Sequence, residues 1–223
     1  MCNTSKSHEC FQQSQAHQIT SGDRDLSCKT KEDQPTQNED LIRQQQAEAF
    51  DIIDNLIPIH KICSGGQTEA DRAGLDAARA NGVETCGWCP QGGLAEDYVT
   101  SPGILKDYPE LKETSTNSYV VRTAYNVRDS HATLIVCPGG LQPKSGTEMT
   151  VRFAQAYGRP YKVVESIDEV EDVLRWILGL GRGLTLNIAG PRESKHEGTY
   201  RCTFEIVDSL LKSQDKRRKE IYE

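Results

Sequence analysis

Apolar residues in this chain fall into five short runs that alternate with longer segments of helical periodicity. The runs are "IHKIC" at 59–63, "ETCGW" at 84–88, "TLIVC" at 133–137, "YKVVE" at 161–165 and "LTLNIA" at 184–189. Helices are predicted at 69–81, 117–129, 147–157, 167–179 and 197–212. Strands that alternate with helices need crossover connections, which build a parallel sheet covered on both faces. We therefore predict an α/β fold, a Rossmann-like open parallel sheet of about five strands with helices on both faces.

Several predicted helices carry signals at their ends. The Ser-x-x-Glu pattern of a capping box occurs at 145–148, 166–169 and 194–197, and Thr68 with Asp71 is a close variant. Gly82 and Gly158 stand where helices are expected to stop.

The two ends of the chain differ in composition from its middle. Residues 1–40 are rich in Gln, Ser, Thr, Asp and Lys, so they bury too little apolar surface to offset ordering entropy, and we predict a disordered tail. Residues 41–57 show the spacing of an amphipathic helix that ends at Pro58. We place the Rossmann-like domain at 58–213 and a charged C-terminal tail at 214–223.

Charge and hydropathy disfavour two kinds of partner, nucleic acid and membrane. The 223 residues carry a formal net charge of −7, which disfavours non-specific binding to nucleic acid. No apolar run approaches the ~20 residues of a membrane span, and the N-terminus lacks the apolar region of a signal peptide. We expect a cytoplasmic protein that binds neither nucleic acid nor membrane.

Three glycine-bearing loops follow predicted strands and lead into helices. In an open parallel sheet, ligands bind beyond the carboxyl ends of the strands, where each helix N-terminus offers unpaired N–H groups and a positive dipole end. Glycine lets backbone approach a ligand closely, so the loops predict an anion site, a form of phosphate-binding loop. The candidate ligand-binding residues are Ser64, Gly65, Gly66, Gln67, Thr68 and Arg72 in the first loop and helix, Ser145, Gly146, Thr147 and Thr150 in the second, and Gly190, Arg192 and Ser194 in the third.

A single glycine turn before a helix cap is common in loops that join strands to helices. The occurrence of three such loops at one edge of the sheet is what favours a ligand site. No loop has the Walker spacing or a full G-x-G-x-x-G fingerprint, which disfavours ATP hydrolysis and nicotinamide redox chemistry.

The helix at 117–129 adds a polar stripe. Ser118, Arg122 and Asn126 recur at i, i+4 and i+8, whereas Val120, Ala124 and Val127 are predicted to face the core. Such a stripe is usually solvated, but an arginine in the crevice would complement an anion, so Arg122 and Asn126 join the candidates.

Cys86-Gly87-Trp88-Cys89 has the spacing of a redox or half-zinc motif. A redox pair normally opens a helix, and zinc needs two further ligands, but Pro90 follows directly and no partner spacing is present. Packing of a loop around Trp88 is the simpler interpretation, and no metal site is predicted.

The segments "SGGQTEADRAGLDAA", "GWCPQG", "AEDY", "YPELKETSTNSYVVRTAYNVRDS", "SGTEMT" and "LNIAGPRES" together resemble the family called "putative molybdenum carrier proteins", a circularly permuted, YpsA-related branch of the SLOG superfamily. The resemblance covers about residues 60–211. It implies a circularly permuted Rossmann-like fold that binds nucleotide-derived or cofactor-like ligands, with Gly190-Pro191-Arg192 matching the Gly-x-Arg loop of the superfamily. It also implies self-association as a homo-oligomer, for which the helix at 41–56 is a candidate contact.

Two departures bear on activity. Related phosphoribohydrolases read P-G-G-x-G-T-x-x-E with a catalytic glutamate, and Thr150 takes that position here, while the capping box explains Glu148. A Ser-Asp pair of the family is replaced by Ser130-His131.

The leading hypothesis is therefore a non-catalytic binding or carrier protein for a phosphate-bearing ligand. A nucleotide, the molybdenum cofactor and molybdate all fit the prediction. The alternative is an N-glycosidase of nucleoside monophosphates, with Glu96, Asp71 or Asp97 supplying the carboxylate. A third class is an interaction module that docks through the helix at 41–56.

Overall fold

A computed structural model of the chain describes residues 38, 40–45, 58–192 and 197–222. The strands are β1 (Ile59–Cys63), β2 (Glu84–Cys86), β3 (Trp88–Cys89), β4 (Lys112–Glu113), β5 (Ala132–Val136), β6 (Tyr161–Val164) and β7 (Leu184–Ala189), and the helices are α1 (Ala70–Ala80), α2 (Tyr119–Arg128), α3 (Gly146–Ala156), α4 (Val170–Leu180) and α5 (Thr199–Tyr222). Single 3₁₀ turns occur at Gln91–Gly93, Gly103–Lys106 and Ile167–Glu169. Residues 40–45 are helical, but most of the predicted tail and of the predicted helix at 41–57 lies outside the described residues.

The main sheet has five strands in the order β2-β1-β7-β5-β6, and every neighbouring pair is parallel. The prediction of an open parallel α/β sheet is therefore confirmed. β7 lies between β1 and β5, so the three strands that precede the glycine-bearing loops are neighbours. The segment after β2 forms a separate two-stranded parallel sheet, β3-β4.

Helices cover both faces of the sheet. Alternate residues of β5 belong to different core clusters: Leu134 and Val136 pack with residues of α1, α4 and α5, whereas Ile135 packs with Val151 of α3. This alternation explains why β5 is apolar at every position except Thr133, because both of its faces are buried. No described helix is long and apolar enough to span the hydrocarbon layer of a bilayer.

The last helix continues well beyond its predicted end at 212. α5 runs to Tyr222 and includes the basic cluster 216–219. Gln214 is only 6% exposed and holds the start of β1, accepting from the Ile59 amide at 2.8 Å and donating to the Ile59 carbonyl at 2.8 Å. The amide of Gln214 therefore ties the helix to the edge of the sheet where the strands begin.

The predicted helix caps are confirmed at two of the three positions that the structure describes. Ser166 and Glu169 form a reciprocal capping box, and the Ser145 side chain accepts from the Glu148 amide at 3.0 Å. The variant proposed for Thr68 and Asp71 was wrong, because α1 has no side-chain N-cap and the Asp71 carboxylate accepts from the Gln67 amide instead.

Candidate ligand-binding site

A cleft of about 810 Å³ opens at the carboxyl ends of β1, β7 and β5. All three glycine-bearing loops contribute to its walls, together with the first turns of α1, α2 and α3. The lining residues are Gln67, Thr68, Asp71, Tyr119, Arg122, Thr123, Cys137, Gln142, Pro143, Lys144, Ser145, Gly146, Thr147, Gly190, Pro191 and Arg192. The loops thus converge on one space, as the recurrence of their pattern predicts.

In the first loop, Gln67 has a free donor inside the protein. The Gln67 side-chain oxygen accepts from the amides of Glu96 at 2.9 Å and Thr68 at 3.3 Å, which assigns its other terminal atom as the nitrogen. That nitrogen, Nε2, has no hydrogen-bond partner in the described part of the chain, although Gln67 is only 4% exposed. A buried donor without a partner is costly, and an acceptor in the cleft would remove that cost.

The floor of the cleft carries a buried ion pair. Arg122 Nη1 lies 2.8 Å from Asp71 Oδ2, and their side chains are 12% and 7% exposed. Burial raises the pKa of the Asp71 carboxyl, and the charge of Arg122 opposes that rise. The remaining guanidinium donor, Arg122 Nε, is buried with no partner among the described residues.

Glycine at position 65 leaves the space that the Arg122 guanidinium occupies. A Cβ at Gly65 would lie 2.2 Å from Arg122 Nη1, which is closer than atoms approach without bonding. This glycine therefore makes room for the guanidinium, whereas the loop pattern predicts that it lets backbone approach a ligand.

The second loop places the N-terminus of α3 at the cleft. Lys144 adopts a positive φ of 58°, Ser145 caps the helix, and Gly146 and Thr147 begin it. Thr147 is 5% exposed and Gly146 is solvent-accessible, so this end offers backbone amides and one hydroxyl. The capped helix start is a site that favours negative charge.

The third loop is held by close packing and by an ion pair. A Cβ at Gly190 would lie 2.3 Å from the Val136 carbonyl oxygen, so glycine lets the end of β7 pass close to the end of β5. Arg192 Nη1 contacts Glu96 Oε1 at 2.5 Å, and its guanidinium lies 5.1 Å from the Tyr119 ring centre.

Each of the three candidate arginines already has a carboxylate partner. Arg122 is paired with Asp71, Arg192 with Glu96, and Arg72 with Asp97 through two contacts. The pairing with Asp97 lowers the pKa of that carboxyl. The charges of these arginines are therefore largely balanced, and neutral donors and helix N-termini are the other groups of the cleft that favour negative charge.

Eight of the fifteen candidate residues line the cleft: Gln67, Thr68, Arg122, Ser145, Gly146, Thr147, Gly190 and Arg192. Ser64, Gly65, Gly66, Arg72, Asn126 and Thr150 lie behind these walls or outside them, and Ser194 lies outside the described residues. Ser64 donates to the Ile188 carbonyl at 2.8 Å, and Thr150 Oγ1 donates to the Gly146 carbonyl at 3.3 Å, so both have structural bonds.

The orientation predicted for α2 was wrong at Val120. Val120 is 52% exposed, whereas Asn126 of the polar stripe is 2% exposed. Asn126 accepts from the Trp88 amide at 2.7 Å and donates to the Trp88 carbonyl at 3.0 Å, which joins α2 to β3. The polar stripe faces inward because the neighbouring backbone segment has unpaired groups that an amide side chain can satisfy.

The C-x-x-C segment is a bend between two sheets. Cys86 ends β2, Trp88 and Cys89 form β3, and the Trp88 indole donates to Asp129 at 2.8 Å. Among residues 38, 40–45, 58–192 and 197–220, no group of three or more His, Cys, Asp and Glu side chains is arranged to hold a metal ion. His131 directly precedes β5, at the end of the strand remote from the cleft, where its Nδ1 accepts from the Thr185 amide at 2.8 Å.

The candidate set omitted several lining residues, above all Tyr119, Lys144 and the segment Gln142-Pro143. Tyr119 directly follows the N-cap Ser118, so its position in the first turn of α2 was a usable signal. The other residues belong to the insert before α3, whose path has no periodic pattern.

Comparison with known proteins agrees with this geometry. A model of the circularly permutated YpsA SLOG family matches residues 62–211. A solved structure from Syntrophus aciditrophicus SB, described as a "putative molybdenum carrier protein", is 36% identical, with a TM-score of 0.60 over 70% of this chain and 96% of that chain. No curated protein matches. The chain belongs to the circularly permutated YpsA SLOG family.

Proposed function

We propose that the cleft binds a small phosphate-bearing ligand, either nucleotide-derived or cofactor-like, and that the protein acts as a binding or carrier protein. The observation that carries this proposal is that Gln67, whose buried Nε2 has no partner among the described residues, lines a cleft walled by three strand-to-helix loops. Arg122 Nε is a second buried donor of the same kind. Donors without acceptors fit an anion that brings several acceptor oxygens.

The size of the cleft favours an organic phosphate over a bare oxyanion. Its volume of about 810 Å³ falls within the range of about 300–1,000 Å³ for sites that enclose whole small molecules. Tyr119, Pro143 and Pro191 supply ring and apolar surface beside the polar loops. A ligand with a phosphate at the loops and a planar ring toward Tyr119 would use both parts of the cleft.

The name of the relative from S. aciditrophicus extends the proposal to molybdenum. The molybdenum cofactor carries a phosphate monoester on its pterin, and molybdate is itself a tetrahedral dianion. Such ligands would contact the cleft through oxygen atoms, because burial disfavours the thiolate of the lining Cys137 by raising its pKa, and its sulfur donates to the Gly140 carbonyl at 3.1 Å. Cargo would therefore be held by its phosphate or oxo groups.

The placement of carboxylates supports binding over N-glycoside hydrolysis. Asp71 supplies the one carboxylate among the described lining residues, and it is committed to Arg122 and to the Gln67 amide. Glu148 accepts from the Lys144 amide and pairs with Arg152, while Glu96 pairs with Arg192 outside the cleft lining. An N-glycosidase needs a carboxylate free to face the developing ribosyl cation.

A matched pair of variants tests the proposal. Gln67→Glu keeps the side-chain oxygen that accepts from the Glu96 amide but replaces the free donor with a second acceptor. We expect it to weaken binding of AMP or a pterin phosphate by at least about tenfold, because hydrogen bonds to charged groups contribute about 1.5–3 kcal/mol. Gln155→Glu, an exposed change of the same charge on α3, controls for net charge.

Thermal shift and isothermal titration with AMP, a pterin phosphate, molybdate and inorganic phosphate give the readout. A ligand at 100 times its Kd stabilises the native state by about 2.7 kcal/mol. No stabilisation by any of the four anions, or equal binding by Gln67→Glu and the parent, contradicts the proposal. Release of free base from AMP by the parent protein selects the hydrolase alternative.

A further inference from the structure

Cys63 and Cys86 are register partners on adjacent parallel strands. β1 and β2 pair Lys61 with Glu84, Ile62 with Thr85 and Cys63 with Cys86. Because side chains alternate between faces, the first and third of these pairs share one face of the sheet. Lys61 Nζ lies 2.7 Å from Glu84 Oε1, so partnered side chains on this face do meet.

The strand spacing suits a disulfide between the two cysteines. Neighbouring strands lie about 4.7–4.9 Å apart, within the Cα separation of about 4.4–6.8 Å that a disulfide requires. Both cysteines are free thiols here, Cys63 buried and Cys86 half-buried. The half-buried Cys86 can meet a solvent oxidant, and the buried Cys63 lies beside it on the neighbouring strand.

The surroundings make Cys86 the more acidic thiol. The neighbouring Cys63 thiol, helped by the charges of Lys61 and Lys112, lowers the pKa of Cys86 against the opposing effects of burial and Glu84. The neighbouring Cys86 thiol and burial raise the pKa of Cys63, whose sulfur donates to Asn126 Oδ1 at 3.4 Å. The thiolate is the nucleophile in thiol oxidation, so the half-buried Cys86 is the residue that reacts first.

Cys89 does not share this environment. It packs with Leu75, Ile104 and Tyr108 in a separate core cluster, and its sulfur donates to the Lys112 carbonyl at 3.5 Å. Burial raises its pKa to about 11. The local spacing of the C-x-x-C motif is therefore a poor guide, because the partner of Cys86 comes from β1.

We propose that Cys63 and Cys86 form a reversible thiol-oxidation site for hydroperoxides. The Cys86 thiolate attacks the O–O bond, takes one oxygen as a sulfenic acid, and the other oxygen leaves as water or an alcohol after protonation. The Cys63 sulfur then attacks the Cys86 sulfur, the S–S bond forms, and the hydroxyl leaves with the Cys63 proton as water. The two cysteines lose two electrons, the hydroperoxide gains them, and a dithiol reductant reverses the change.

The disulfide would lie at the base of the first loop of the cleft. Ser64 follows Cys63 directly, and its amide donates to the Cys86 carbonyl at 3.0 Å. The inference does not depend on what the cleft binds.

Peptide mapping of the oxidised full-length protein tests the site. After treatment with a small excess of hydrogen peroxide and blocking of free thiols, trypsin releases residues 62–72, which contain Cys63 alone, and residues 80–106, which contain Cys86 and Cys89. Chymotryptic cleavage after Trp88 then separates Cys86 from Cys89. We expect a 62–72 peptide linked through Cys86, and its loss after treatment with dithiothreitol.

Variants assign the order of reaction. Cys89→Ser should retain the linkage and Cys86→Ser should abolish it, while Cys63→Ser should leave a sulfenic acid at Cys86 that dimedone captures. Cys63 and Cys86 both remaining reduced in the parent protein would overturn the proposal, and so would a linkage of Cys86 to any other cysteine. The parent map alone decides between these outcomes should a variant fail to fold.

Discussion

Asp71 of α1 and Arg122 of α2 form a buried ion pair, 2.8 Å between carboxylate oxygen and guanidinium nitrogen, in the floor of the cleft. The pair joins the helix that follows the first loop to the helix that carries the polar stripe. Gly65 supplies the space that the guanidinium occupies. Loss of either charge would leave the other buried without a counter-ion, so the pair has consequences for stability and for binding.

The first prediction concerns stability. Arg122→Met should lower the free energy of unfolding by about 3–5 kcal/mol, because breaking a buried pair by removing one partner leaves an uncompensated charge. The double variant Arg122→Met with Asp71→Asn should lose less than the sum of the two single variants. Urea unfolding of the parent, both single variants and the double variant measures the coupling.

Arg128→Met is the matched control for that cycle. Arg128 lies at the end of the same helix in an exposed pair with Asp129, and such pairs contribute about 0–1 kcal/mol. A strictly additive cycle, or a loss at Arg128 equal to that at Arg122, would show that the buried pair has no special role.

The second prediction concerns pH. Burial raises the pKa of Asp71, and an anion beside Arg122 should raise it further, so the complex holds more protons than the free protein over the interval between the two pKa values. Anion affinity should therefore fall as pH rises through the range above 3.8, the ordinary value for this carboxyl. Sulfate, which keeps its charge there, is the probe, and Asp71→Asn should bind it more tightly with no pH slope. If sulfate affinity varied with pH in the same way in the parent and in Asp71→Asn, Asp71 would not be the cause of the pH dependence.

Much of the fold follows from local pattern, and the site follows only partly. β5 is apolar at every position except Thr133 because both faces of an interior parallel strand are buried, and its sequence therefore indicates the strand type. Capping at Ser166 is equally local. Gln67 and Arg122 were found because glycine loops and polar stripes are sequence signals.

The residues that sequence reasoning misplaced depend on distant partners. Asn126 faces inward to satisfy the backbone of Trp88, 38 positions away. Val120 is exposed, although Ala124 and Val127, predicted to share its face of α2, are buried. Gln214 is buried against Ile59, 155 positions away, and the charged helical segment around Gln214 has no sequence pattern that predicts this contact.

The third prediction compares two glycines of the cleft. Gly190→Ala should lower the free energy of unfolding by about 1–3 kcal/mol and weaken ligand binding, because its Cβ would lie 2.3 Å from the Val136 carbonyl oxygen and separate β7 from β5. Gly146→Ala meets nothing within 4 Å, in the first turn of α3, where alanine suits a helix. Its stability should be unchanged or higher. Equal destabilisation by the two substitutions, measured by urea unfolding, would contradict the close packing at Gly190.

The fourth prediction concerns the C-terminal helix beyond residue 213, where the sequence placed the end of the domain. Gln214→Ala should lower the free energy of unfolding by about 2–4 kcal/mol, since it leaves the amide and carbonyl of Ile59 without their partner and each unsatisfied group costs about 1–3 kcal/mol. Gln214→Glu is the sharper test, because the carboxylate still accepts from the Ile59 amide but faces the Ile59 carbonyl with a second oxygen. Lys216→Ala, an exposed change two residues along the same helix, should alter stability by no more than about 0.5 kcal/mol. A chain that ends at Ser213 should match the loss in Gln214→Ala or exceed it. If that shortened chain resisted urea as well as the parent does, the folded unit would end at 213. The contact of Gln214 with Ile59 would then contribute nothing to the free energy of unfolding.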